Sequence, residues 1–517
     1  MPNYIAEYVA DWLLAYGEGE QWAGPDFLSP RREAHPTALS HYLRAASTLW
    51  AAGASRRAQV ERAKQLIKLC RSSSTRARHA AKLPAASAHA AAAEAEAAKA
   101  ADAAKAAAEA QAEAVSSEAE AAAAGGGDVD DAGAASAEGG AAGGGATTTA
   151  AAARPAPPHH ECWGYPYNWP EAKVKRSPES TSDTVTREGP RVAGGEAFWF
   201  HDGHRNFLRQ PEAHVGFSGV TGLVGLGLID GLALLEDALQ RLHQKETKTL
   251  EDLEFGAVAA WVKELIAHAA HWLVDECEHR RVVAQPGRPR VFFSPCAAMK
   301  HEVYWSSAFA GAFLYRAGKL CGEEQWMTLG ASALNLVADL HRTREVGARG
   351  GGVRRGGVIY AKEHREVEAE MGLCVEALAI YCKANPADEQ ALEGVRDMSD
   401  WMWHNLFDEQ GQAFSDERCV QTAGLGHHAT GMIANVLVFQ LTQDFMFLAR
   451  ARTIASYMIT NLWDPKRRVF RYKHSRATQI GEPRGQFSCD EAAAANAFAA
   501  LAEVEAAERK LYPTLSL

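Results

Sequence analysis

The sequence contains no C-x-x-C pair, and its nine cysteines follow no regular spacing. An odd, scattered set excludes a disulfide framework and a cysteine-built zinc site; buried thiols in a reducing, cytoplasmic compartment are expected instead. No run of 18 uncharged apolar residues occurs, so no membrane span is expected. The first helix-like stretch lacks a basic leader and a small-residue cleavage site, and it carries Glu7 and Asp11, which argues against a secretory signal or transit peptide. Charge of one sign is nowhere concentrated: the net charge of -10 is spread along the chain, which leaves nucleic acid an unexpected partner. Nothing in the sequence fixes an oligomeric state.

What is present is an ordinary globular composition, 47% apolar and 23% charged, interrupted by one biased block. From about Ala80 to Pro158 the chain collapses into Ala, Glu, Gly, Ser and Thr, passing from an Ala/Glu/Lys tract with helix propensity into Gly-rich segments. With no apolar stripe to bury, this block is expected to be a disordered insertion. The expected organisation is therefore one discontinuous domain: 1–79 holds its first helices, 80–158 the insertion and 159–517 the remainder.

Outside the block, helical periodicity recurs. Ile5, Tyr8, Val9, Trp12, Leu13 and Tyr16 fall on one helical face. Eleven further segments follow, near 37–52, 57–72, 215–243, 251–279, 299–320, 324–341, 364–384, 388–405, 420–442, 445–462 and 486–509. The connections alternate. Those near 53–56, 244–250, 321–323, 385–387 and 443–444 are short, while 73–214, 280–298, 342–363, 406–419 and 463–485 are long. Short links make antiparallel helix hairpins, so the long ones gather at one end, where 18–36 joins them. A weak repeat supports this reading: Phe414 and Phe470 lie 56 residues apart in similar surroundings, as expected of one hairpin plus its loop. Phe293 and Tyr360 stand in comparable places before the next helices. The even-numbered segments are apolar over most of their circumference, which predicts an inner layer within a closed double ring.

This alternation resembles the six-hairpin (α/α)6-toroid superfamily of glycosidases, lyases and sugar epimerases. The resemblance implies an all-α (α/α)6 toroid with long loops on one face. A narrower stretch, Cys162-Trp-Gly-Tyr-Pro-Tyr-Asn-Trp169, is similar to a Trp-Gly-Tyr-Pro-Phe-Asp-Trp signature of bacterial toroid proteins associated with polysaccharide pathways. Tyr167 and Asn168 replace its Phe and Asp, so any chemical role of that Asp is lost here. Trp163, Tyr165, Tyr167 and Trp169 suit stacking on sugar rings, and they equally suit a plug closing one end of the ring.

The N-termini of the inner helices should converge on the cavity, where their free N–H groups favour hydroxyl-rich or anionic ligands. They carry His35 and His41; His214 and Ser218; His301, Glu302, Tyr304 and Trp305; His364, Glu366, Glu368 and Glu370; His427 and His428; and Asp490 and Glu491. Sugar chemistry needs a proton donor and an acceptor on opposite sides of a ring. Glu302, Glu368, His428 and Asp490 are the candidates for these catalytic roles. His301, Tyr304, Trp305, His364 and His427 join the four aromatics as candidate substrate contacts. Any one acid at a helix start is more commonly a cap than a catalyst; the clustering carries the case. His201-Asp202-x-His204 lacks a third ligand at helical spacing, so neither metal nor cofactor is expected. The arginines of 347–357 could clamp an anion or merely solvate a loop. Gly216-x-x-Gly219-x-x-Gly222 and Gly424-x-Gly426 follow no expected strand, which makes close helix packing the better account than phosphate binding. The expected function is a carbohydrate-active enzyme acting on a saccharide or uronic-acid-containing glycan by general acid/base catalysis. The alternative is a non-catalytic glycan-binding or scaffold toroid.

Overall fold

A computed structural model of the chain describes residues 36–52, 57–74, 160–164, 173–174, 187–188, 216–243, 250–277, 279–285, 288–295, 303–342, 367–409, 413–414, 422–464, 469–471, 473–475, 480–482 and 488–511. All belong to one compact unit spanning Met1–Arg78 and His159–Leu517. The first helical segment at 4–17, the 80–158 block, the His201–His204 string and the arginine loop at 347–357 lie outside the described residues.

Eleven helices are described: α1 (Pro36–Ala51), α2 (Arg57–Ser72), α3 (Ser218–His243), α4 (Leu250–His271), α5 (Tyr304–Cys321), α6 (Glu324–Arg342), α7 (Val367–Ala384), α8 (Glu389–Leu406), α9 (Leu425–Thr442), α10 (Phe445–Tyr457) and α11 (Ser488–Leu511). Their packing fixes the architecture. Helix α1 packs on α3, α3 on α5, α5 on α7, α7 on α9 and α9 on α11, and α11 returns to α1, so six helices close a ring. The partner across each short link, α2, α4, α6, α8 or α10, packs outside its own inner helix. The chain is thus an (α/α)6 toroid whose inner layer is the one its sequence anticipates.

The reason for this sorting is visible in single helices. Every residue of α9 from Leu425 to Phe439 is buried, as befits a helix packed on all sides, whereas α8 alternates buried and exposed positions. Helix α3 is long and apolar enough over Ser218–Arg241 to cross a membrane, but 89% of its apolar 18-residue window is buried within the ring. Bare glycines let inner helices approach: a Cβ on Gly222 would lie 2.5 Å from the Phe309 carbonyl of α5. Helix starts and stops follow local chemistry. Asp388 caps α8 through Ala391 N–H, Asp444 caps α10 through Met446 N–H, and Gly322 ends α5 at φ 78°, a left-handed conformation that suits glycine.

The long connections carry small antiparallel pairs: β1 (Lys173–Val174) with β2 (Arg187–Glu188), β3 (His279–Gln285) with β4 (Arg288–Phe293), β5 (Phe407–Asp408) with β6 (Ala413–Phe414), and β8 (Trp463–Asp464) with β9 (Val469–Phe470). In the latter two, Phe407 pairs with Phe414 and Trp463 with Phe470, so the repeat in the sequence is one hairpin used twice. A further sheet orders β11 (Ile480–Glu482), β10 (Lys473–Ser475) and β7 (Thr422–Gly424), the last leading directly into α9. The outer helices α4 and α10 each end in a π-helical turn, at Trp272–Glu276 and Met458–Leu462, just before a hairpin.

Candidate functional site

The fourth residue of an inner helix recurs in one role. In α3 it is Thr221, whose Oγ1 accepts the Trp163 N–H at 3.0 Å and whose hydroxyl can return a bond to the Trp163 carbonyl at 3.2 Å. In α5 it is Ser307, which accepts the Phe293 N–H at 3.1 Å. In α9 it is His428, which accepts the Phe414 N–H on Nε2 at 3.3 Å. In α11 it is Glu491, whose carboxyl accepts the Phe470 N–H. Four different side chains hold the main chain of four loop aromatics, and Trp163, Phe293, Phe414 and Phe470 are each no more than 1% exposed. Each bond satisfies a donor that would otherwise be buried without a partner.

Two expectations change on this geometry. Trp163 offers no face to a sugar: it is fully buried, with its indole N–H on the Cys70 carbonyl of α2 at 2.7 Å and its own carbonyl receiving the Phe217 N–H. It fastens a loop to the wall between α2 and α3. His428 has both ring nitrogens engaged, Nε2 by Phe414 N–H and Nδ1 by the Gly424 carbonyl at 2.7 Å, and its ring stacks on Tyr457 of α10. It faces the outer layer, so in this arrangement it exchanges no proton with a ligand. The sequence pattern could not separate such anchors from catalytic groups, because both are polar residues in the first turn.

Asp490, one residue before the Glu491 anchor, points elsewhere. A step of one residue turns a helix by about 100°. Asp490 reaches both neighbours of α11: its Oδ1 lies against bare Gly426 of α9, where a Cβ would come within 2.8 Å, and its charge acts on His41 of α1. His41 is 6% exposed and its Nδ1 has no hydrogen-bond partner. Burial first, then the Arg44 guanidinium, lower its pKa from 6.5 to about 3, with Asp490 pulling the other way. Glu491 is pushed up from 4.5 to about 8 by burial and then by Asp490, against the opposing Phe470 N–H. A neutral imidazole and a proton-holding carboxyl thus flank Asp490.

Beneath this group a polar column continues along the axis. Arg44, one turn and about 4.5 Å below His41, pairs with Glu376 of α7 and lies 3.4 Å from Asp230 of α3. Burial works against its charge, but Glu376 and Asp230 outweigh that and raise its pKa. Asp230 also pairs with Arg316 of α5 at 2.6 Å, and Asn496 of α11 reaches Glu376 at 3.5 Å.

The other expected residues divide by place. Trp305, 5% exposed, stacks on Phe217 at 5.9 Å, and Tyr304 packs edge-on to Phe292. Both are wall contacts between α5 and its neighbours. His427 is buried beside Gly424. Glu368 is the second residue of α7, and its side chain lies outside the described residues. Tyr165, Tyr167, Trp169, His301, Glu302 and His364 lie outside them as well. No group of three or more His, Cys, Asp or Glu placed to hold a metal occurs among the described residues, and Cys70, Cys162, Cys277, Cys321, Cys374 and Cys382 are free.

No family model and no curated protein matches the sequence. Among solved structures, a D-mannose isomerase aligns over 56% of this chain and 74% of its own, at 9% identity and a TM-score of 0.37. A family 76 α-mannanase from Bacteroides thetaiotaomicron aligns over 57% and 70%, at 11% identity and 0.36. A cellobiose 2-epimerase from Spirochaeta thermophila aligns over 48% and 81%, at 11% identity and 0.28. Likeness at this level assigns no activity. The toroid stands on its own closed ring of helix contacts.

Proposed function

We propose that the chain is a carbohydrate-active enzyme working by general acid/base chemistry at the long-loop end of the ring, with Asp490 as its central group. The observation that supports this reading is the placement of Asp490 against Gly426 of α9 and within electrostatic reach of His41, whose buried Nδ1 has no hydrogen-bond partner, above a polar axial column. A polyhydroxy ligand both donates and accepts hydrogen bonds, and the column offers acceptors and donors in turn. Acid/base work on a sugar needs a second group on the far side of the ring. Helix α5 is the one that stands across the toroid from α11, and Glu302 precedes it by two residues, which makes Glu302 the proposed partner and Glu368, on neighbouring α7, the next candidate. His301, His364, Tyr165, Tyr167 and Trp169 remain proposed substrate contacts.

A second reading, a non-catalytic glycan-binding or scaffold toroid, is favoured by one observation: the anchoring of His428 and Glu491 removes two acid/base groups from the first turns. The two readings separate on purified protein screened for turnover and binding of neutral saccharides, oligosaccharides and unsaturated uronides. The enzyme reading expects Asp490→Asn to lower turnover by about 100-fold or more with the fold intact, and Glu302→Gln to do the same. Saccharide binding without turnover would select the scaffold. Neither binding nor turnover with any saccharide would reject both.

A further inference from the structure

The ring has a concavity at the opposite end, where the short links lie. It has a volume of about 360 Å³, and all six inner helices contribute to its wall, from their middles to their C-terminal ends except for Asn496 of α11. That size falls within the about 300–1,000 Å³ of small-molecule sites. Its lining is half apolar, with Ile380, Ile433 and Leu437 beside charged groups.

At the floor the charges satisfy one another: Arg44 with Glu376 and Asp230, and Arg316 with Asp230. At the rim they do so only at longer range: burial works against the Lys383 ammonium, and Glu503 and then Asp230 support it. Lys383 of α7 and Glu503 of α11 have no oppositely charged partner at ion-pair distance among the described residues. They are joined only through a neutral amide: Lys383 Nζ donates to Gln440 Oε1 at 2.7 Å, and Gln440 Nε2 donates to Glu503 Oε2 at 2.9 Å. Each retains bonding capacity, since an ammonium has three donors and a carboxylate several lone pairs.

This pattern selects among ligand classes. A simple anion attracted to Lys383 and Arg316 meets Glu503 and Asp230; a simple cation meets the reverse. A neutral polyol leaves both rim charges uncompensated and gains nothing from the isoleucines and leucine. A molecule with one charge of each sign and an apolar tail suits all three features, because charge-assisted hydrogen bonds form at both ends. We propose that this well binds a small zwitterion, a free aliphatic α-amino acid, with its carboxylate on Lys383, its ammonium on Glu503 and its side chain against Ile433 and Leu437. The well shares Arg44, Asp230, Arg316 and Asn496 with the foot of the polar column, but its proposed ligand contacts, Lys383, Glu503, Ile433 and Leu437, take no part in the function proposed for the long-loop end.

The test is calorimetric titration of the whole chain with L-leucine, with 4-methylpentanoate, which lacks the ammonium, with isopentylamine, which lacks the carboxylate, and with glucose. The expected result is saturable leucine binding, weakened by about tenfold or more for either single-charge analogue and in Lys383→Gln and Glu503→Gln, and unchanged in Asp490→Asn. The analogue series needs only the natural protein, so it decides even if a rim variant misfolds. No saturable leucine binding, equal binding of an analogue or of glucose, or unchanged binding in both folded rim variants would overturn the proposal.

Discussion

The two ends of the ring use polar residues in opposite ways. At the long-loop end, Thr221, Ser307, His428 and Glu491 spend their hydrogen-bonding capacity on the main chain of the loops they receive. At the short-link end, Lys383, Gln440 and Glu503 bond to one another across helices, Arg316 bonds to Asp230, and these rim residues stay partly open to solvent. Loops rich in unpaired N–H groups need acceptors from the scaffold, whereas links as short as 322–323 and 443–444 have few donors to satisfy. A polar residue near an inner helix start is therefore a fastening first and a reagent second, and Asp490 is set apart by its direction, toward Gly426 of α9 and His41 of α1.

That contrast can be broken at several points. The largest effect is expected midway between the ends: Arg44→Met strands the buried Glu376 carboxylate, and a loss of about 3–5 kcal/mol in denaturant unfolding is expected. Gly222→Ala forces a methyl into the Phe309 main chain of α5 and should cost about 1–3 kcal/mol by the same measurement, with the inner ring loosened. Ser307→Ala leaves the Phe293 N–H buried without an acceptor, at about 1–3 kcal/mol. Gln440→Leu at the other end frees groups that water can reach, and a change within about 0.5 kcal/mol is expected. Equal losses for Ser307→Ala and Gln440→Leu would erase the distinction between the ends.

A separate effect is in pH. Folded Glu491 keeps its proton to about pH 8 whereas an ordinary glutamate releases it near 4.5, so the folded state binds more protons over that interval and stability falls as pH rises through it. His41 acts in reverse: between pH 6.5 and about 3 the unfolded chain takes up a proton the folded one refuses, so stability falls as pH drops. Urea midpoints against pH should form a dome, and Glu491→Gln, which keeps an acceptor for the Phe470 N–H, should flatten only its alkaline limb.

Much of the ring is legible in the sequence because link length and all-round apolarity are local signals. Helix α2 runs Arg57–Ser72, as its periodicity indicates. The start of α9 is less legible: the apolar pattern runs back to 420, but Thr422–Gly424 pair with β10 as a strand, a tertiary contact no window of sequence contains. Side-chain direction is the least legible of all. Asp490 and Glu491 are both acids in a first turn, and only the rotation between them sends one to the ring's neighbours and the other to Phe470. Trp163 illustrates the same limit, since an aromatic loop reads alike whether it waits for a sugar or locks onto Thr221.

Backbone amide hydrogen exchange at Trp163, Phe293, Phe414 and Phe470 tests the fastening of the long-loop end most directly. Four amides held by inner-helix side chains should exchange as slowly as those in the middle of α9, opening only with the ring. Exchange at the rate of free loop amides would mean that these aromatics are not held by the scaffold, and that the first-turn polar groups remain available for chemistry.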